Sequence, residues 1–185
     1  MREARPQPSV GYGMGLLRKH DDLGGHRYRM HEKLFSIGDD SWIENDDGDR
    51  VFKVDGKALR VRKTFKLKDT SGNELLQIQE RKLNIRDTMR IERGGDTAAS
   101  VKKALITPLR DRYTVDVAGA GELTAKGNIV DHEYSIEGDG EKIAEVSKRW
   151  FRIRDTYGIE IAPGQDDALV LAVAVCIDEM SDRGR

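Results

Sequence analysis

The chain has 185 residues, 35% of them charged and 37% hydrophobic, and its 32 basic side chains nearly balance its 33 acidic ones. That length suits one domain, and the near-zero total argues against nucleic-acid binding driven by bulk positive charge. The single cysteine, Cys176, excludes an internal disulfide framework or a cysteine-based zinc site.

Residues 1–25 read as a flexible N-terminal tail, rich in Gly and Pro, and the opening MREARPQPSV lacks the apolar core of a secretory signal. One domain over residues 26–185 is expected to follow, built of short segments in which polar and apolar residues alternate between turn signals. The first strands are expected at Tyr28–Phe35, Ser41–Glu44 and Arg50–Val54, with tight turns at Asn45–Asp49 and at Asp55-Gly56. Ala58–Lys68 has the clearest period of two. Leu59, Val61, Phe65 and Leu67 share one face, with Lys63 the exception there, and Arg60, Arg62, Thr64, Lys66 and Lys68 share the other. Asp69–Gly72 turns the chain into Glu74–Ile78. Further strands are expected at 83–85, 88–93, 98–106, 113–117, 123–126, 129–136, 142–146, 151–153 and 157–161.

The last apolar run, Ala168–Ile177, follows Pro163-Gly164 and the acidic pair Asp166-Asp167, either of which can cap a helix. A helix here is apolar on every side and therefore has to be buried on every side, with Leu169, Leu171, Val173 and Val175 among its structural residues. A buried strand is the competing reading, because the run holds three valines and an isoleucine. Ten residues are too few to cross a bilayer, and no run reaches the roughly 18–20 apolar residues that crossing requires. A cytoplasmic protein is therefore expected, with contact at a membrane surface as its closest approach to lipid.

Charge is unevenly spread. Residues 50–113 hold 17 basic against 8 acidic side chains, whereas residues 114–185 hold 8 against 15. Within the basic segment, Arg60, Arg62, Lys66 and Lys68 form a row on one strand face, spaced roughly 6.5–7 Å for every two residues. Arg81 and Lys82 follow in the next hairpin. Such a row suits anionic phosphates, with arginine offering bidentate contacts. The competing reading is a solvating face paired with Glu74 and Glu80.

Catalytic signatures are missing: there is no Gly-x-Ser-x-Gly elbow, no Walker A loop and no His-Glu-x-x-His. Gly11–Gly15 lacks the preceding strand of a dinucleotide loop, and Ile43–Gly48 places Ile43 where a calcium loop needs an oxygen ligand. His20, His26, His31 and His132 show no ligand spacing. No catalytic residue, metal or cofactor is expected. Cys176, inside the apolar run, should be inert.

Residues 72–92 and 140–160 align without a gap at an offset of 68, with eight of 21 positions identical. The shared core is Ile85-Arg86-Asp87-Thr88 and Ile153-Arg154-Asp155-Thr156. Such an internal repeat suggests duplicated antiparallel units within one closed sheet.

These segments also carry a family resemblance. Tyr28–Ile37, Val51–Lys57, Asp69–Gly72, the paired Ile-Arg-Asp-Thr segments and the late apolar run 168–177 resemble the LURP-one-related proteins, relatives of the tubby C-terminal domain and the phospholipid scramblases. The resemblance covers about residues 28–182. It implies a mainly β, tubby-like fold: a closed antiparallel barrel of about twelve strands around one central hydrophobic C-terminal helix. It also implies a non-enzymatic binding module. Tubby domains tether to membranes through phosphoinositides, but no headgroup motif of theirs maps onto this chain residue by residue. The chain also lacks the cysteine-rich palmitoylation segment of a scramblase. With the cationic row, the expected partner is an anionic phospholipid or membrane surface. A nucleic acid or a protein scaffold role on the same face is the alternative, and exposed aromatics beside the row would favour nucleic acid. The sequence does not fix an oligomeric state.

Overall fold

In the computed structural model, residues 22–31, 41–57, 64–83, 86–104, 112–151 and 155–182 are described, the side chains of residues 57 and 82–87 excepted. Twelve strands appear in chain order: β1 (His26–His31), β2 (Ser41–Asn45), β3 (Arg50–Lys57), β4 (Thr64–Asp69), β5 (Glu74–Leu83), β6 (Arg86–Arg93), β7 (Asp96–Lys103), β8 (Arg112–Val117), β9 (Gly121–Asn128), β10 (Glu133–Gly138), β11 (Glu141–Ser147) and β12 (Thr156–Ile161). Each pairs antiparallel with its sequence neighbours, and β1 pairs with β12 over His26–His31, which closes the ring. Closure leaves no sheet edge unpaired. One helix, α1 (Asp167–Asp182), lies in the barrel against β5, β6, β7 and β12.

Alternation builds this interior. Along β4, Phe65 and Leu67 are buried while Lys66 and Lys68 stay partly exposed, and the same period buries Leu76 and Ile78 on β5 and Met89 and Ile91 on β6. The helix meets that lining with side chains buried from Val170 to Ser181. Asp166 caps it, its Oδ1 accepting from the Leu169 amide at 3.1 Å, and Asp167 sits in the first turn where the helix dipole favours an acid. The buried-strand alternative is thereby excluded, and Leu171, Val173 and Val175 are core. Leu169 is not. It is half-buried at the open end, because the residues ahead of it already form the exposed cap. The helix also runs past Ile177 to Asp182, since its last turn buries polar groups that a hydrophobicity pattern does not register. No helix among the described residues is long and apolar enough to cross a membrane.

Several local expectations are corrected. Asp55-Gly56 is no turn: β3 continues through it, and Gly56 lies opposite Phe65, whose ring covers the missing side chain at 3.5 Å from a Cβ position. Residues 74–78 and 83–85 belong to one strand as far as Leu83. Ile129–His132 is a turn rather than the start of a strand. The Asn128 side chain donates to the Asp131 carboxylate and accepts from the Asp131 amide there, despite two β-branched residues between them. Lys148–Trp150 forms a single 3-10 turn, with Phe151 following it outside any strand. Its two rings lie over Gly158 on the outside of β12, so close that a Cβ there would sit 2.4 Å from Trp150.

The repeated segments occupy β5–β6 and β11–β12, half the ring apart. Gly72 and Gly140 close equivalent hairpins with φ of 86° and 83°, and Thr88 and Thr156 are both buried. Glu92 and Glu160 are equivalent as well. Arg81 and Arg90 approach Glu92, and Arg27 and the Leu23 amide approach Glu160.

Candidate functional site

Arg60 and Arg62 lie outside the described residues, as does the side chain of Lys82. The rest of the expected row is present on the outer face of β4 and β5, and it is matched by acids. Lys66 reaches Glu74 at 2.5 Å and Lys68 reaches Asp55 at 2.7 Å, each diagonal to the register that sets Lys66 opposite Asp55 and Lys68 opposite Glu74. Arg81 turns to Glu92 at 3.6 Å, which also receives Gln77 and Arg90. Glu74 was legible as a partner, but Asp55 and Glu92 come from neighbouring strands. These pairs are partly exposed, and an ion pair in contact with solvent contributes roughly 0–1 kcal/mol.

One part of this face was not read from the sequence. Trp42 points outward from β2, directly opposite Lys53 on β3, whose ammonium lies 5.6 Å from the indole centre; the Arg50 guanidinium lies 5.1 Å from it. Lys53 is in turn directly opposite Lys68. An indole flanked by two cations therefore continues the row on β4. The signal was present as alternation, with Trp42 and Glu44 flanking the buried Ile43, but the pairing with β3 was needed to place it.

The interior is not purely apolar. Where α1 ends, Tyr157 donates a short hydrogen bond to Asp178, and His132 stacks on Tyr157 with ring centres 4.3 Å apart. His132 Nε2 lies 3.2 Å from the other oxygen of Asp178. His132 itself sits at φ 51°, a left-handed conformation forced by the Asn128–His132 turn. Tyr134 is fully enclosed beside them and its hydroxyl has no hydrogen-bond partner among the described residues; burial first, then the charge of Asp178, drives its pKa far above the usual phenol range. Burial and then Glu179 raise the Cys176 thiol.

At the opposite end of α1, Asp167 accepts hydrogen bonds from Tyr28 and His26, both at 2.6 Å, and Arg93 holds Asp166 at 2.7 Å. Beside them a cleft of about 390 Å³ opens between α1 and the turns joining β8 to β9 and β10 to β11. Among the described residues no three His, Cys, Asp or Glu side chains are grouped so as to hold a metal.

The LURP-one-related family model matches residues 26–178, nearly the whole of the barrel and helix. The chain belongs to the LURP-one-related family. It is 27% identical over 150 residues to YxjI of Bacillus subtilis, an uncharacterised protein, covering 80% of this chain and 90% of that one. An Arabidopsis thaliana protein solved by X-ray superposes with a TM-score of 0.63 at 15% identity, over 85% of this chain and 93% of the other. That last likeness is one of fold. For this LURP-one-related chain it places the closed barrel and its axial helix in a known architecture.

Proposed function

We infer that this LURP-one-related chain is a binding module without catalytic chemistry of its own, which docks on anionic phospholipid headgroups through the outer face of β2–β5. The observation that carries the reading is Trp42 held between Arg50 and Lys53 beside Lys66 and Lys68. Indoles favour the membrane–water boundary, and each Lys or Arg near an anionic leaflet contributes about 1 kcal/mol. Because Glu74 and Asp55 offset Lys66 and Lys68, the four cations leave a net of two charges, about 2 kcal/mol or a dissociation constant of roughly 30 mM from charge alone. Docking of this strength is peripheral and reversible, and screening over a Debye length of about 10 Å at 0.1 M salt weakens it.

Co-sedimentation with phosphatidylserine-containing and pure phosphatidylcholine vesicles tests this. Binding should be confined to the anionic vesicles, fall as salt rises, and drop in both Trp42→Ala and a Lys53/Lys66/Lys68→Gln variant. Equal pelleting with both vesicle types would refute the reading. So would saturable binding of short oligonucleotides by a chain that ignores vesicles.

A further inference from the structure

The cleft at the N-terminal end of α1 lies between β8 and β11, across the ring from the β2–β5 face, and the headgroup reading makes no use of it. Its walls are aliphatic. Val117, Leu123, Ile143 and Leu169 are each only half-buried there, above the fully enclosed Ile136 and Val173. Four half-buried aliphatic side chains thus line one concavity. A volume of about 390 Å³ falls at the small end of the roughly 300–1,000 Å³ of ligand pockets. The charged groups lining it are both acids. Asp166 is already satisfied by Arg93 and by the Leu169 amide, so the exposed carboxylate of Asp139, on the β10–β11 turn, is the lining charge with no ion-pair partner among the described residues.

We propose that this cleft binds a small aliphatic ligand carrying a terminal ammonium, the chain lying on Leu123, Ile143 and Leu169 and the cation at Asp139. An aliphatic anion meets repulsion at the same rim, and a neutral alcohol gains the apolar contact alone. The structure also supplies a way to narrow the cleft. A Cβ on Gly138 would lie 2.4 Å from the Leu123 Cδ2, the free end of a flexible side chain, so Gly138→Ala pushes Leu123 out of its present position.

Octylamine, 1-octanol and octanoate, kept below micellar concentrations, separate these contributions when titrated into the full chain at low salt while methyl resonances are followed. Octylamine should give saturable shifts centred on Val117, Leu123, Ile143 and Leu169. Its affinity should exceed that of octanol by roughly two- to fivefold, the value of one exposed ion pair, with octanoate weakest. Asp139→Asn, which Asn tolerates at the φ of 50° found there, should bring octylamine to the level of octanol. Gly138→Ala and Leu123→Phe should weaken both. The proposal is overturned if none of the three shifts these methyls, if octanoate matches octylamine, or if Asp139→Asn leaves the preference for the amine intact.

Discussion

Replacing Tyr157 by Phe removes one hydroxyl from a place that water does not reach. Tyr157 is fully buried, Asp178 is 6% exposed, and the hydroxyl donates to the Asp178 carboxylate. After the change the group left beside Asp178 is His132, whose Nε2 lies 3.2 Å from Oδ1 without making a hydrogen bond to it. A hydrogen bond to a charged group contributes about 1.5–3 kcal/mol, and leaving a buried charge uncompensated raises the loss toward about 3–5 kcal/mol. Because His132 remains, the expected loss is about 2–4 kcal/mol, which lowers the Tm by roughly 4–16 °C for a chain of this size. Urea denaturation of Tyr157→Phe, Asp178→Asn and the double variant gives both the size and the coupling. The two single losses should not add, with an interaction energy of roughly 1–3 kcal/mol. A Tyr157→Phe variant within about 0.5 kcal/mol of the parent, or strict additivity, would show that the buried pair contributes nothing specific.

The helix should be unequal along its length: Leu171→Ala, fully enclosed, is expected to lose about 2–5 kcal/mol, and the half-buried Leu169→Ala distinctly less, by urea midpoints at unchanged slope. Cys176 should resist alkylation at pH 8 in the folded chain and react at the rate of unfolding, because burial and Glu179 hold its thiol protonated; prompt labelling would contradict this. Glu160 should give a pH signature, since burial and a hydrogen bond that only its protonated form can donate to Asp22 raise its pKa from its ordinary value against the opposing effect of Arg27. A raised folded-state value means its contribution is fully present below the unfolded pKa and is lost as pH rises through the folded one. Subtracting the pH profile of Glu160→Gln from that of the parent should therefore leave a stability difference that declines with pH across and just above the carboxylate range, and a flat or rising difference would count against it.

Much of the candidate docking face was legible because a period of two needs no partner to be seen: Lys66 and Lys68 alternate with Phe65 and Leu67 in the chain itself. What neutralises them was only half legible. Glu74 is close in sequence, but Asp55 reaches Lys68 from β3 and Glu92 reaches Arg81 from β6, and cross-strand register is a tertiary quantity. Trp42 failed to register for the same reason, since Arg50 and Lys53 flank it only once β2 lies on β3. The interior cluster was invisible: His132, Tyr134, Tyr157 and Asp178 are scattered over 47 positions, and no spacing rule unites a turn, two strands and a helix end.

Alternation and the uniformly apolar run near the C-terminus were enough to dictate strands and one fully buried C-terminal segment, because each hydrophobic pattern states by itself which faces must leave water, while helix over strand was left to the tertiary structure. Ring closure by β1 against β12, the acids that answer Lys68 and Arg81, the polar floor under α1 and the cleft at its other end were settled only in three dimensions. Those features depend on distances between residues remote in the chain, which a one-dimensional pattern does not contain.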